Sequence, residues 1–125
     1  MLVHRVNVIL CAILALKLQY FVEPVDSYVL ANPVFEVLKP RGIRVSIPDE
    51  SGLQFFAFHG NVNKGITENH EGEISGEVYR AKNGRWTVEK SNVNLKDGDV
   101  INYWIYAQAD GSSYRKIEQS WTVVC

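Results

Sequence analysis

The chain has 125 residues, a formal net charge of −1 and 46% hydrophobic residues. A chain of this length can build one domain with a real core and is too short for two. A charge this close to zero, with the 13 basic residues scattered along the sequence, provides no electrostatic footprint for a nucleic acid. The composition therefore favours a single globular domain that does not bind nucleic acid.

The N-terminal part of the sequence differs from the rest. A positively charged start precedes an apolar run from Val6 to Leu16. This run is shorter than the roughly 20 residues that span a bilayer, and the pattern is typical of a secretory signal peptide, although a structural helix would give the same run. We expect a signal over residues 1–27, with cleavage before Tyr28 or nearer Lys17. Residues 28–125 would then form a secreted, extracellular module that does not contact a membrane once the signal is removed.

The cysteine content follows from this division of the chain. Cys11 lies within the expected signal, so the mature chain keeps only Cys125. No intradomain disulfide can form, although the secretory route permits one. The core must therefore hold the fold unaided, and Cys125 is either inert or an intermolecular link.

After residue 27 the sequence reads as short strands separated by turns. Ile43, Val45 and Ile47 alternate with polar residues, which is the period of a strand with one buried face. The polar segment from Asn61 to Gly76 is predicted to be a long loop. The predicted strands are Val34–Leu38, Ile43–Ile47, Leu53–His59, Val78–Tyr79, Trp86–Val88, Val100–Ala109 and Tyr114–Val124, and the third is apolar enough to be buried on both faces.

Turn signals at a spacing of about ten residues favour a β-sandwich. The segment Leu95–Tyr103 has the layout of an immunoglobulin tyrosine corner, in which a Tyr near the start of a strand bonds back across the preceding turn. Two residues later, Ile105 stands where an antibody domain has Cys. The predicted fold class is an all-β, immunoglobulin-like antiparallel β-sandwich with no intradomain disulfide.

The sequence offers little that points to catalysis. His59 follows an aromatic strand and is interpreted as capping its polar end, and His70 lies among glutamates whose spacing matches no metal-ligand pattern. No serine elbow, zinc-protease motif or phosphate-binding loop is present, and no pair of carboxylates is marked out for glycoside hydrolysis. We therefore expect no catalytic residue, metal site, cofactor or enzymatic activity.

Two long segments resemble a known family. Tyr28–Asn63 contains Pro-Arg-Gly-Ile-Arg-Val-Ser-Ile-Pro-Asp and Phe-Ala-Phe-His-Gly, and Asn83–Lys116 contains Gly-Arg-Trp and Gly-Asp. Together they resemble the N-terminal carbohydrate-binding module (family 39) of insect β-1,3-glucan recognition proteins, also called Gram-negative bacteria-binding proteins. The resemblance implies a secreted, non-catalytic pattern-recognition module of innate immunity. It would bind microbial β-1,3-glucan, preferably in triple-helical form, and could self-associate on that glucan.

The resemblance also implies binding residues. They are Asp49 of the Ile-Pro-Asp turn with its neighbour Glu50, Arg85 of Gly-Arg-Trp, and Asp99 of Gly-Asp. Carboxylates accept hydrogen bonds from sugar hydroxyls and a guanidinium donates to them, and each such bond contributes about 1.5–3 kcal/mol. Structural alternatives remain: ordinary turn chemistry for Asp49, the corner turn for Asp99 and a cross-strand acid partner for Arg85.

Two departures from the family leave other functions open. Members carry a Trp near the end of the loop before Gly-Arg-Trp, whereas the nearest apolar residue here is Ile74. Full-length members continue into a glucanase-like domain, and because this sequence ends at Cys125 we expect a stand-alone binder or a shortened paralogue. The alternative function is a diverged sandwich that serves as a protein-interaction module in immune signalling. A third, a glycan-processing enzyme, would require glucan turnover by the purified chain.

Overall fold

Residues 28–125 are described by a computed structural model, in which two antiparallel sheets pack face to face. The strands are β1 (Val34–Val37), β2 (Ile43–Pro48), β3 (Leu53–Val62), β4 (Ile74–Val78), β5 (Arg85–Lys90), β6 (Val100–Ala109) and β7 (Ser112–Thr122). Sheet A has the order β1-β2-β5, and sheet B has the order β4-β3-β6-β7. The predicted all-β antiparallel sandwich is confirmed, whereas the predicted signal over residues 1–27 lies outside the described residues.

The inner face of sheet A is built by the predicted alternation. Ile43, Val45 and Ile47 of β2 are fully buried. On the neighbouring strand, Val88 lies opposite Val45 and Trp86 lies opposite Ile47. Because successive side chains on a strand point to opposite faces, this register puts all five residues on the core side and leaves the polar residues on the outer side.

Sheet B contributes the aromatic half of the core. β3 lies between β4 and β6 and is buried at five consecutive positions, from Phe56 to Gly60. Phe56 and Phe58 point into the core, and burial of such side chains stabilises the fold by about 1.5–3 kcal/mol each. Burial on both faces, predicted from the apolar run, is confirmed for this part of β3.

The segment between β3 and β4 is shorter than predicted. β3 extends to Val62 and β4 begins at Ile74, so the loop covers residues 63–73. The predicted strand Val78–Tyr79 overlaps β4 only at Val78, because Gly76 weakens a strand prediction for the residues around it. A side chain at Gly76 would place its Cβ 2.5 Å from Val88 Cγ1, so glycine allows the two sheets to approach closely there.

The structure differs from the predicted tyrosine corner. The ring of Tyr103 packs against Phe35 and Phe58, with centroid distances of 5.1 and 5.4 Å. Burial raises the pKa of the Tyr103 hydroxyl, which has no hydrogen bond to another described residue. β4 also pairs with β3, whereas the fourth strand of an immunoglobulin constant domain joins the sheet of the first, second and fifth strands.

Two further features concern the surface of the described part of the chain. Cys125 is the free cysteine in residues 28–125, and it is exposed. No helix within this range is both apolar enough and long enough to pass through a membrane.

Candidate functional site

Asp49 lies on the turn between β2 and β3, and its carboxylate has a structural partner. Asp49 is exposed, and its Oδ1 accepts a hydrogen bond of 2.8 Å from Nε1 of Trp86. Trp86 is buried, so this bond satisfies the indole N–H at the edge of the core. The Asp49 N–H also donates to the carbonyl of Gly84. Turn and core chemistry therefore occupy one carboxylate oxygen, while Oδ2 has no hydrogen-bond partner within residues 28–125.

Arg85 begins β5 and lies directly opposite Pro48 of β2. Its Nε donates to Ser46 Oγ at 2.7 Å, and its Nη2 donates to the Ser46 carbonyl at 3.2 Å. None of the ion pairs among the described residues involves Arg85. The cross-strand acid partner considered from the sequence is therefore absent in this range, and neutral groups hold the guanidinium in place.

A groove of about 860 Å³ opens beside Arg85 on the outer face of sheet A. One wall is the connection from β4 to β5, and the other is the outer face of β5 and β2. Glu89 in this groove accepts a hydrogen bond from Arg44, which also bonds Glu36 outside it. The polar lining residues are Arg44, Arg80, Lys82, Asn83, Arg85, Thr87 and Glu89. Four basic groups and one acid thus make the groove polar and electropositive.

Glu50 is exposed and lies beside Asp49 on the same turn. Its carbonyl accepts a hydrogen bond from the N–H of Leu53, which closes the turn. Burial raises the pKa of Tyr28, and the negative charge of Glu50 raises it further. Glu50 therefore lies near the Tyr28 hydroxyl, at the same end of the sandwich as Asp49 and Arg85.

Asp99 is separated from the other three predicted site residues. It precedes β6, whereas the turn that carries Asp49 leads into Leu53, which pairs with Ala109 at the far end of β6. Ten strand residues at about 3.3 Å each separate the two ends by about 30 Å. The four predicted residues therefore do not form one cluster. Sequence motifs carried no information on which end of the sandwich each turn would occupy.

Hydrogen bonds at the start of β6 fix the Asp99 carboxylate. Oδ2 accepts from the N–H of Lys96 at 2.9 Å, and Oδ1 accepts from the side-chain amide of Asn63 at 3.1 Å. The bond from Lys96, followed by the bond from Asn63, lowers the pKa of Asp99. The expected turn role of this acid is thus present in the structure.

The lowered pKa of Asp99 predicts a pH-dependent contribution to stability. A carboxyl whose pKa is lower in the folded state stabilises the fold above its unfolded pKa, and the effect disappears as the pH falls through the folded value. We expect Asp99→Asn to be less stable than the wild type at pH 7 and the difference to shrink toward about pH 3. Urea unfolding at both pH values measures this difference, and a constant difference would contradict the assignment.

The two histidines considered from the sequence have structural surroundings. His59 lies within β3 rather than at its end, and its Nδ1 is 3.1 Å from Ser75 Oγ and 3.1 Å from the Glu71 carbonyl. The ring of His59 stacks on Trp104 at a centroid distance of 4.4 Å. Nδ1 of His70 is 3.2 Å from the hydroxyl of Thr67. Among residues 28–125, no group of three or more His, Cys, Asp and Glu side chains is arranged to hold a metal ion.

Ile74, which the sequence placed in the long loop, lies in a strand instead. Ile74 is the first residue of β4, pairs with Gly60 and is only 1% exposed. It belongs to the core, so its side chain presents no surface to a ligand.

Sequence reasoning missed a set of aromatic side chains on the outer face of sheet B. They are Phe55, Tyr79, Trp104 and Tyr106, and Tyr79 is 69% exposed. A signal was present, because Phe55 alternates with the inward-facing Phe56 and must point outward. The continuous apolar run of β3 predicts burial and does not distinguish the outward-facing Phe55 from its inward-facing neighbours.

Three curated relatives are similar to this chain over parts of their length. A Beta-1,3-glucan-binding protein of Hyphantria cunea is 42% identical over 113 residues, which are 90% of this chain and 23% of the relative. A Beta-1,3-glucan-binding protein of Tenebrio molitor is 44% identical over 80 residues, 64% of this chain and 17% of the relative. Gram-negative bacteria-binding protein 3 of Drosophila melanogaster is 37% identical over 108 residues, which are 86% of this chain and 22% of the relative. The chain thus spans about a fifth of the length of these relatives.

A solved structure and a family model complete the comparison. The crystal structure of a Br derivative of BhCBM56 superposes with a TM-score of 0.56 at 15% identity, over 78% of this chain and 96% of that one. At this identity the likeness shows a shared fold alone. The model of the family CBM39, described as "Carbohydrate binding domain (family 32)", matches residues 29–125. This chain belongs to the CBM39 family of carbohydrate-binding domains.

Proposed function

We propose that this chain is a secreted, non-catalytic module that binds β-1,3-glucan of microbial cell walls in innate immune recognition. The observation that carries the proposal is the polar groove beside Arg85, whose guanidinium has no acid partner among residues 28–125. The names of the relatives from Hyphantria cunea and Tenebrio molitor support glucan as the ligand.

The groove suits a polyhydroxyl polymer. Vicinal hydroxyls of a glucan both donate and accept hydrogen bonds, so a site needs fixed donors and acceptors along a line. Arg80, Lys82 and Arg85 supply charged donors, while Asn83 and Thr87 can also accept. The groove is open at the surface, which allows a chain longer than a single sugar to pass through it. Its volume of about 860 Å³ also falls in the range of ligand sites.

The predicted site residues have different places in this proposal. Arg85 is the central donor, and Asp49 and Glu50 extend the polar surface at the end of the sandwich. Oδ2 of Asp49 is free to accept a sugar hydroxyl, since only Oδ1 bonds to Trp86 within the described range. Because Asp99 lies about 30 Å away at the other end, its binding role stays a prediction that requires a long glucan or a separate contact.

Secretion rests on the signal pattern expected over residues 1–27. Hydrolysis by a retaining or inverting mechanism uses two carboxyl groups on either side of the sugar bond. Among the described lining residues the groove contains Glu89 as its one acid, and Glu89 is paired with Arg44, which supports binding without catalysis. Preference for triple-helical glucan and self-association on it are further proposals from the resemblance to the family.

Co-sedimentation with insoluble β-1,3-glucan tests the function, with cellulose and chitin as controls. We expect the wild-type chain to pellet with the glucan alone. Arg85→Ala should weaken binding about tenfold or more, because a hydrogen bond to a charged group contributes about 1.5–3 kcal/mol. Arg41→Ala is the matched control, since it removes the same charge from an exposed position at the opposite end of sheet A.

The outcomes separate glucan binding from the choice of site. A wild-type chain that stays in the supernatant would overturn the glucan proposal. That result would favour the alternative of a diverged protein-interaction module, which the missing loop aromatic motivates. Equal losses for Arg85→Ala and Arg41→Ala would leave glucan binding in place and move it away from the groove.

A further inference from the structure

The outer face of sheet B carries a row of aromatic rings that the groove on sheet A does not use. Tyr79 directly follows β4, Phe55 lies on β3 and Tyr106 lies on β6. The Phe55 ring centroid is 5.0 Å from that of Tyr79 and 5.7 Å from that of Tyr106. Two neighbouring strands and the residue just after β4 thus contribute one ring each to a continuous row across the sheet, and Tyr79 at its end is 69% exposed.

A cleft of about 330 Å³ lies alongside this aromatic row. Its floor is Ala57, which pairs with Tyr106 on one side and Glu77 on the other. Because alanine is smaller than its neighbours, the surface is lower at this position and forms the cleft. Its far side is the stacked pair His59 and Trp104, where the Trp104 Nε1 donates to the His70 carbonyl in the loop over residues 63–73.

Polar groups surround the aromatic row. The hydroxyls of Tyr106 and Ser113 are 2.9 Å apart, and the Tyr79 hydroxyl donates to Glu77 Oε1 at 3.2 Å. The Arg115 guanidinium lies 5.3 Å from the Tyr106 ring centroid, and one of its nitrogens is 3.6 Å from a carboxylate oxygen of Glu68. Charges of both signs therefore line this cleft, in contrast to the electropositive groove on sheet A.

These features fit a neutral ligand with one apolar face and a polar rim. A pyranose ring has this form, because its C–H groups cover one face and its hydroxyls project from the edge. Ligand sites combine apolar and aromatic surface with a few placed polar groups, and tyrosine offers both in one side chain. We propose that the outer face of sheet B is a second saccharide site, in which a pyranose unit of β-1,3-glucan stacks on the exposed ring of Tyr79 and contacts the edges of the inclined Phe55 and Tyr106 rings.

This inference rests on the proposed glucan-binding function and adds a second point of attachment. The two sites lie on the outer faces of opposite sheets, whose backbones are separated by about 10 Å. One chain can therefore bind two glucan strands at once. A particle coated with glucan presents many such strands. Two linked contacts raise the overall avidity and allow a monomer to cross-link particles.

The test compares ring removal with ring retention at Tyr79. Binding isotherms on insoluble β-1,3-glucan and aggregation of glucan-coated beads are measured for wild type, Tyr79→Ala and Tyr79→Phe. We expect Tyr79→Ala to lower the affinity about three- to tenfold and to abolish bead aggregation, by analogy with aromatic pairing energies. Tyr79→Phe keeps the ring and should retain both properties. Tyr106→Ala should act like Tyr79→Ala, and thermal unfolding checks that each variant is folded.

The results separate a second saccharide site from loss of glucan binding altogether and from a dimer contact on this face. Wild-type binding with an unchanged Tyr79→Ala isotherm and unchanged aggregation would overturn the second site and leave the groove intact. No wild-type binding would overturn the proposed function and this inference together. If Tyr79→Ala instead dissociated a dimer in sedimentation analysis without changing glucan affinity, a second copy would occupy this face and the saccharide proposal would fall. Because Tyr79 is so exposed, its substitution decides the question even if Tyr106→Ala fails to fold.

Discussion

Phe58→Ala should lower the free energy of unfolding by about 3–5 kcal/mol. Phe58 is fully buried in β3. Its ring centroid is 5.8 Å from that of Phe35 on sheet A and 5.4 Å from that of Tyr103 on sheet B. Truncation would therefore leave a cavity between the two sheets, where neither sheet can move in to fill it without losing its own pairing.

Chemical denaturation of the chain from residue 28 onward measures this effect. Val34→Ala is the control, because Val34 is 56% exposed at the edge of sheet A and its truncation should change stability by less than about 0.5 kcal/mol. A loss below about 1 kcal/mol for Phe58→Ala would show that the position does not bridge the sheets as described.

Gly72→Ala should destabilise the fold more than Gly111→Ala, although both glycines have a φ of +82°. At Gly72 a Cβ would lie 2.5 Å from the Gly60 carbonyl oxygen, whereas at Gly111 it would meet nothing within 4 Å. The left-handed conformation costs about 1–2 kcal/mol at either position. The steric clash at Gly72 should add about 1–3 kcal/mol.

The same comparison reports on the loop over residues 63–73. Just before Gly72, the His70 carbonyl accepts a hydrogen bond from Trp104 Nε1, and the Glu71 carbonyl lies 3.1 Å from His59 Nδ1. Displacement of this loop by Gly72→Ala should expose the Trp104 indole and shift its fluorescence to longer wavelength, while Gly111→Ala should not. Equal stability losses and identical spectra for the two variants would contradict the close approach of Gly72 to β3.

Local patterns were sufficient for most strands of the described range. The alternation in β2 and the apolar run in β3 depend on side chains that must face a core, so periodicity and composition predicted them. β4 was predicted only at its last residue, Val78, because Gly76 and its polar neighbours have low strand preference by themselves. Its pairing with β3, from Phe56–Val78 to Gly60–Ile74, stabilises it in the folded chain.

The predicted site residues were also placed partly by local motifs and partly by the tertiary structure. Asp49 and Arg85 ended up close together because Pro48 pairs with Arg85, and the Ile-Pro-Asp and Gly-Arg-Trp motifs mark the ends of these two neighbouring strands. Asp99 could not be placed by its motif, since the ten-residue length of β6 carries it to the other end. Whether each of these residues binds a sugar stays a prediction.

Residue order along the chain thus established the β-sandwich class, the absence of a second cysteine between residues 28 and 125 and the family motifs, because each depends on short stretches or on counts. Tertiary structure alone decided that Asp99 lies apart, that Ile74 is core, and that Tyr79, Phe55 and Tyr106 form one aromatic row. These arrangements depend on which distant strands pair and in what register, and packing of the two inner faces selects that register.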